Sequence, residues 1–279
     1  MISVVSEMMS YPFIVRAMIV GILVSLCSSL LGVSLVLKKY SMIGEGLSHV
    51  SFGAIAIAIA VAIGVSPLKL SIPIVVIVAF LLLRIKESSK IKGDSAIALI
   101  SSSSLAIGVI SIALTTGMNT DVCNYMFGSI LAMSKNDVYL SVVLSIVVIF
   151  LFTIYYNKIF AITFDENFTK STGINVNFYN MMIAILTAVT IVLGMRMMGS
   201  MLISSLIIFP AIISMKIFKS FKSVVISSGI VSILSFCIGM ILSYKFSTPT
   251  GASIVVVNII IFILSIIGEK IKSNNRSYI

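Results

Sequence analysis

The sequence predicts an all-α polytopic membrane protein of about nine transmembrane helices. Three observations carry this. Of 279 residues, 59% are hydrophobic and only 10% charged, whereas water-soluble domains carry about 25% charged residues. Mean hydropathy is +1.21. Runs of Ile, Val and Leu recur along the chain without alternation. Such runs suit helices, which satisfy their backbone polar groups internally, rather than the alternating strands of a membrane barrel. A chain this apolar cannot cover a globular surface with polar groups, which excludes a soluble enzyme, a nucleic-acid-binding domain and a disordered tail. Nine spans of about 20 residues take roughly 180 residues. The remainder is too short for an ordinary extramembrane domain, so residues 1–279 read as one transmembrane domain.

In order, the spans read as 13–37, 44–64, 68–85, 94–116, 138–156, 178–195, 200–215, 223–244 and 251–268. The first is too long for a signal peptide and lacks a basic start and an A-x-A site, so no cleaved leader is expected. The run 200–215 is short, and a re-entrant reading of it lowers the count to eight. Pro210 removes a backbone donor there and can kink the helix. It reads either as a hinge or as a kink for helix contact. The piece YMFGSILAM, 125–133, reads as a short interfacial or re-entrant helix in the 117–137 loop. Cys27, Cys123 and Cys237 are far apart and form no C-x-x-C motif.

The net charge of +10 reflects 19 Lys and Arg against 9 Asp and Glu. In a membrane protein basic residues collect in cytoplasmic loops. With the N-terminus outside and the C-terminus inside, 14 of the 19 fall inside: Lys38, Lys39, Arg84, Lys86, Lys90, Lys92, Lys158, Lys170, Lys216, Lys219, Lys222, Lys270, Lys272 and Arg276. The charge therefore points to lipid and topology, not to nucleic acid.

The segment 44–53 reads GEGLSHVSFG. Glu45 and His49 are four apart and share one helical face. Glu45 is the acidic residue set within an apolar run, and His49 is the single His. In lipid such a pair must face a cavity, a partner or a passing ion. A carboxylate with an imidazole suits Mn²⁺, Fe²⁺ or Zn²⁺ better than K⁺ or Mg²⁺. The pair also reads as a hydrogen-bonded link between helices, or with Glu45 solvated. Gly44, Gly46 and Gly53 allow close approach of a helix or an ion.

The stretch 157–177 is the sizeable polar cytoplasmic loop, and within it 164–175 reads FDENFTKSTGIN. Asp165 suits an N-cap, Glu166 the first turn, Lys170 the last turn and Gly173 the C′ position. This predicts a helix of about two turns, with Phe164 and Phe168 as its apolar side. A helix so short needs something to pack on. It reads either as a linker on the membrane surface or as a docking element. No phosphate-binding loop G-x-x-x-x-G-K-[ST] is present, so ATP-driven transport would need a separate ATPase.

Four stretches carry a family resemblance: LVLKKYSMIGEGLSHVSFGAIA (35–56), YMFGSIL (125–131), FDENFTKSTGI (164–174) and GSMLISSLIIFPAIIS (199–214), with TPTGASIVVV (248–257) weaker. Together they resemble the ABC-3 family, membrane permeases of manganese, zinc and iron ABC importers. The resemblance implies a type II ABC importer-like permease, a homodimer in a bacterial cytoplasmic (inner) membrane, with a pathway at its axis. It implies cytoplasmic ABC ATPase subunits below and an extracellular solute-binding lipoprotein above. No cofactor is implied beyond the transported Mn, Zn or Fe ion. By the resemblance, Glu45 and His49 form the transient metal site. Asp is commoner at the first of these positions. Phe164, Asp165, Glu166, Phe168 and Gly173 belong to the ATPase-coupling loop. Other readings are an ion-coupled secondary carrier, which usually carries several midplane acids, a siderophore or cobalamin permease, and a membrane scaffold.

Overall fold

The computed structural model describes residues 2–61, 67–88, 93–115, 128 and 134–276. Every element among these is an α-helix: α1 Ile2–Ser10, α2 Pro12–Leu37, α3 Ser41–Val61, α4 Pro67–Ser88, α5 Gly93–Thr115 and α6 Lys135–Ile154, then α7 Tyr156–Phe164, α8 Glu166–Ser171, α9 Val176–Met198, α10 Ser200–Ile217, α11 Phe221–Phe246 and α12 Thr250–Arg276. Among the described residues, each apolar run of the sequence is a helix. Seven are long and apolar enough to cross a membrane, while α4 and α10 offer shorter apolar stretches, Pro67–Leu82 and Leu202–Ile217. Except for Gly128, the YMFGSILAM piece and Cys123 lie outside the described residues.

Three features differ from the sequence reading. First, α1 precedes the first span, with Met8 buried and Glu7 accepting a hydrogen bond from the Tyr244 hydroxyl at 3.0 Å. Second, much of the expected polar loop is helix: α7 buries Ile159 and Ile162 and packs on α2, α6 and α9. The polar element therefore starts at Asp165 rather than 157. Third, α10 runs unbroken through a buried Pro210.

α2 is the centre of the bundle, packed against α6, α9, α10 and α11; α3 lies chiefly on α5 and α4, and α10 also meets α3, α11 and α12. Lipid tails are as apolar as Leu, so helices in a bilayer associate by close fit and hydrogen bonds rather than by hydrophobic burial. The α2 seams show both. Gly32 lies against the Ile207 backbone of α10 and Gly21 against the Phe236 ring of α11. Ser232 donates from Oγ to the Ser25 carbonyl at 2.8 Å, and Ser228 to the Ser29 carbonyl at 3.4 Å. Cys27 donates from Sγ to the Ser145 carbonyl of α6 at 3.4 Å.

α2 ends in a tight turn. The Lys39 amide donates to the Val36 carbonyl at 3.0 Å and the Tyr40 amide to the Leu35 carbonyl at 2.8 Å. Lys39 takes the left-handed conformation (φ 58°) that this Schellman arrangement requires. α3 begins one residue after Tyr40.

A Cβ at Gly32 would lie 2.1 Å from the Ile207 carbonyl oxygen, and a backbone atom cannot swing away. Gly32→Val should therefore cost about 1–3 kcal/mol, read as a lower unfolding midpoint of the purified protein in detergent. Gly268→Ala, where a Cβ meets nothing within 4 Å, should not lower it.

Candidate functional site

Glu45 and His49 lie on α3 and open into one cleft of about 330 Å³, lined also by Ser48, Ser204, Ser205, Ile208 and Phe209. Glu45 is exposed and His49 half-buried. The imidazole Nδ1 is buried without a hydrogen-bond partner among the described residues. Ser204 donates from Oγ to Ser48 Oγ at 3.5 Å, and Ser48 donates to the Glu45 carbonyl at 2.7 Å. Among the described residues, the hydrogen bond that joins α3 to α10 beside the pair is thus made by the Ser48 and Ser204 hydroxyls. A carboxylate, an imidazole and several hydroxyls facing one space can hold a small divalent cation. Among the described residues no three His, Cys, Asp or Glu side chains come together, so the Glu45–His49 pair alone is an incomplete ligand set.

The nearby glycines serve helix approach. A Cβ at Gly46 would meet Ile97 of α5 at 2.5 Å, one at Gly53 the Ser104 carbonyl of α5 at 2.5 Å, and one at Gly44 the Ile207 side chain of α10 at 3.4 Å. These contacts seat α3 between α5 and α10 and set the width of the cleft. Pro210 stands one residue beyond the cleft-lining Phe209.

The second site is α8. Asp165 caps it, its Oδ1 accepting the Phe168 amide at 2.9 Å. Glu166 and Lys170 sit in the first and last turns, where they complement the helix dipole. Gly173, at φ 83°, follows the C-cap Thr172. Phe168 is 67% exposed and Phe164 61%. Phe164 is not on α8 but ends α7, where its ring leans on Phe160 (4.9 Å) and Phe221 (5.9 Å). Tyr156, Phe160 and Phe164 of α7 form one aromatic cluster with Phe221 of α11. Glu166 pairs with Lys38 of α2 at 2.5 Å.

The sequence reading missed Ser48, Ser204, Ser205, Lys38 and Asn180. Ser204 is 156 residues from Ser48, and Lys38 is 142 from its partner Asn180. No local pattern reports either meeting. Lys38 had one signal, its place at the very end of a span, which reads equally well as topology.

The model of the ABC 3 transport family matches residues 10–269. The manganese import system permease protein ScaB of Streptococcus gordonii is 27% identical over 255 residues, covering 91% of each chain. The high-affinity zinc uptake system membrane protein ZnuB of Buchnera aphidicola is 30% identical over 256 residues, covering 91% of this chain and 97% of that one. Among solved structures, PsaBC from Streptococcus pneumoniae in complex with Fab superimposes with a TM-score of 0.85 at 28% identity, covering 95% of both chains.

Removing the cap with Asp165→Ala should weaken α8 by about 1 kcal/mol. Hydrogen exchange should then speed up at the Phe168 and Thr169 amides while those of α9 stay unchanged.

Proposed function

The chain belongs to the ABC 3 transport family, and from that premise we propose how it moves its cargo. It is the membrane permease subunit of an ATP-driven importer for a divalent transition metal ion such as Mn²⁺ or Zn²⁺, the ions named for ScaB and ZnuB. The observation that carries the route is the Glu45–His49 cleft, where an imidazole nitrogen stands unpartnered beside a carboxylate. Two copies facing each other across these clefts supply two carboxylates and two imidazoles to one ion. Weak holding by each half lets the ion leave again. The open side of the cleft and the exposed Glu45 support this homodimer.

The chain acts as one permease domain of nine spans, N-terminus outside and C-terminus inside a bacterial cytoplasmic membrane. Its basic loop residues support that orientation. An extracellular metal-binding lipoprotein delivers the ion from above, and separate ATPase subunits supply the energy below. The Asp165–Gly173 segment docks in the ATPase; the exposed Phe164 and Phe168 rings are the apolar contacts such docking needs. Pro210 leaves the Leu206 carbonyl without its helical donor. That softens α10 beside the cleft and suits a hinge.

Glu45→Gln and His49→Ala should each abolish ATP-dependent Mn²⁺ or Zn²⁺ uptake into vesicles while the ATPase still co-purifies. Unimpaired uptake in both variants would remove the cleft from the ion's path.

A further inference from the structure

We propose that Lys38 is a positioning residue for transport, clamping docking helix α8 to the end of α2 and so to the start of α3. The proposal rests on the docking reading of α8. The Lys38 side chain is 5% exposed, and its Nζ meets Glu166 Oε1 and Asn180 Oδ1, each at 2.5 Å. Asn180 Nδ2 donates to the same Glu166 oxygen at 3.3 Å, closing a triangle across α2, α8 and α9. The ammonium also lies 5.5 Å from the Tyr40 ring centroid.

An ammonium is buried at tolerable cost only when paired and hydrogen-bonded. Burial pushes the Lys38 proton affinity down, and Glu166 offsets part of that shift. Pulling α8 away from α2 would leave the ammonium without its counter-ion, which favours joint movement of the two helices. A second ion pair, Lys216–Glu269 at 2.8 Å, has side chains 28% and 52% exposed and gains little from its pairing.

What Lys38 receives it can pass on. It is the C-cap of α2, and the hydrogen-bonded turn behind it allows little slack before α3 begins. The Ile43 amide continues the chain of bonds to the Tyr40 carbonyl at 3.0 Å. Glu45 stands in the second turn of α3. A displacement of α8 thus reaches the cleft through a short rigid path rather than through the whole bundle.

The test uses the permease co-purified with its ATPase and reconstituted in vesicles. Mn²⁺ uptake per ATP hydrolysed is measured for wild type, Lys38→Met, Lys38→Arg, Glu166→Gln and the Lys38→Met/Glu166→Gln double variant. Lys38→Met should keep the ATPase bound and hydrolysing while uptake per ATP falls about tenfold. The double variant should fall no further, and Lys38→Arg should recover most of the ratio. A second readout is independent of the cargo: hydrogen exchange at α8 and at residues 41–49 with and without a trapped ATP analogue. Wild type should respond at both places, and Lys38→Met at α8 alone. A response that still reaches 41–49 in Lys38→Met, an unchanged uptake ratio, multiplying losses in the double variant or loss of the ATPase from Lys38→Met would each overturn the clamp. A wild-type complex with no response at α8 would overturn the docking reading, and the clamp with it.

Discussion

In hydrocarbon a helix gains almost nothing by trading lipid contacts for another helix's Leu or Ile. The bundle must therefore be held by surfaces that come closer than lipid can, and by polar atoms with no other partner. α2 meets both conditions. Its glycines admit the Ile207 backbone and the Phe236 ring, and two of its serine carbonyls accept hydroxyls from α11. Because α10 is seated by the Gly32 contact, and α3 is held between α5 and α10 at Gly46, Gly53 and Gly44, the cleft inherits its shape from these approaches. A larger side chain at Gly32 would act on the cleft through α10, without touching any residue that lines it.

The same helix carries the chemistry of one membrane boundary. α2 ends with Lys38 buried against Glu166 and Asn180, and the turn after it leads into the helix that bears Glu45 and His49. α8, the central helix α2 and the cleft helix α3 are thus joined by a direct side-chain contact and a single tight turn. α8 itself is six residues long and leans on its neighbours through the buried Thr169 and the Glu166 pair. It is held rather than self-standing, as a six-residue helix must be.

Much of this was legible in the amino-acid sequence. Composition and uninterrupted apolar runs sufficed for an all-helical membrane bundle, because the bilayer allows few alternatives. The α8 caps were legible because capping is local: Asp165, Glu166 and Gly173 act within one turn. Glu45 and His49 stood out by scarcity, as ionisable groups in an apolar chain. Less legible was whatever depends on distant pairing. The hydroxyls opposite His49, the Asn180 side-chain oxygen facing Lys38 and the edge-on contact of Phe164 with Phe221 join residues far apart in the chain. α7 beyond Tyr156 reads as loop in the sequence because the polar Asn157 and Lys158 mask the buried stripe of Ile159 and Ile162. α1, nine residues with no acidic group in its first turn and no basic group in its last, carries no capping signal.

The central claim is that a transition-metal ion passes through the Glu45–His49 cleft with His49 as a direct ligand. Zinc K-edge X-ray absorption of the Zn²⁺-loaded permease tests this most directly. The account predicts a nitrogen/oxygen shell at about 2.0–2.1 Å with the outer-shell scattering of imidazole, and loss of the imidazole signature in His49→Ala. Imidazole scattering that persists unchanged in His49→Ala, or a wild-type spectrum of fully hydrated zinc, would contradict it.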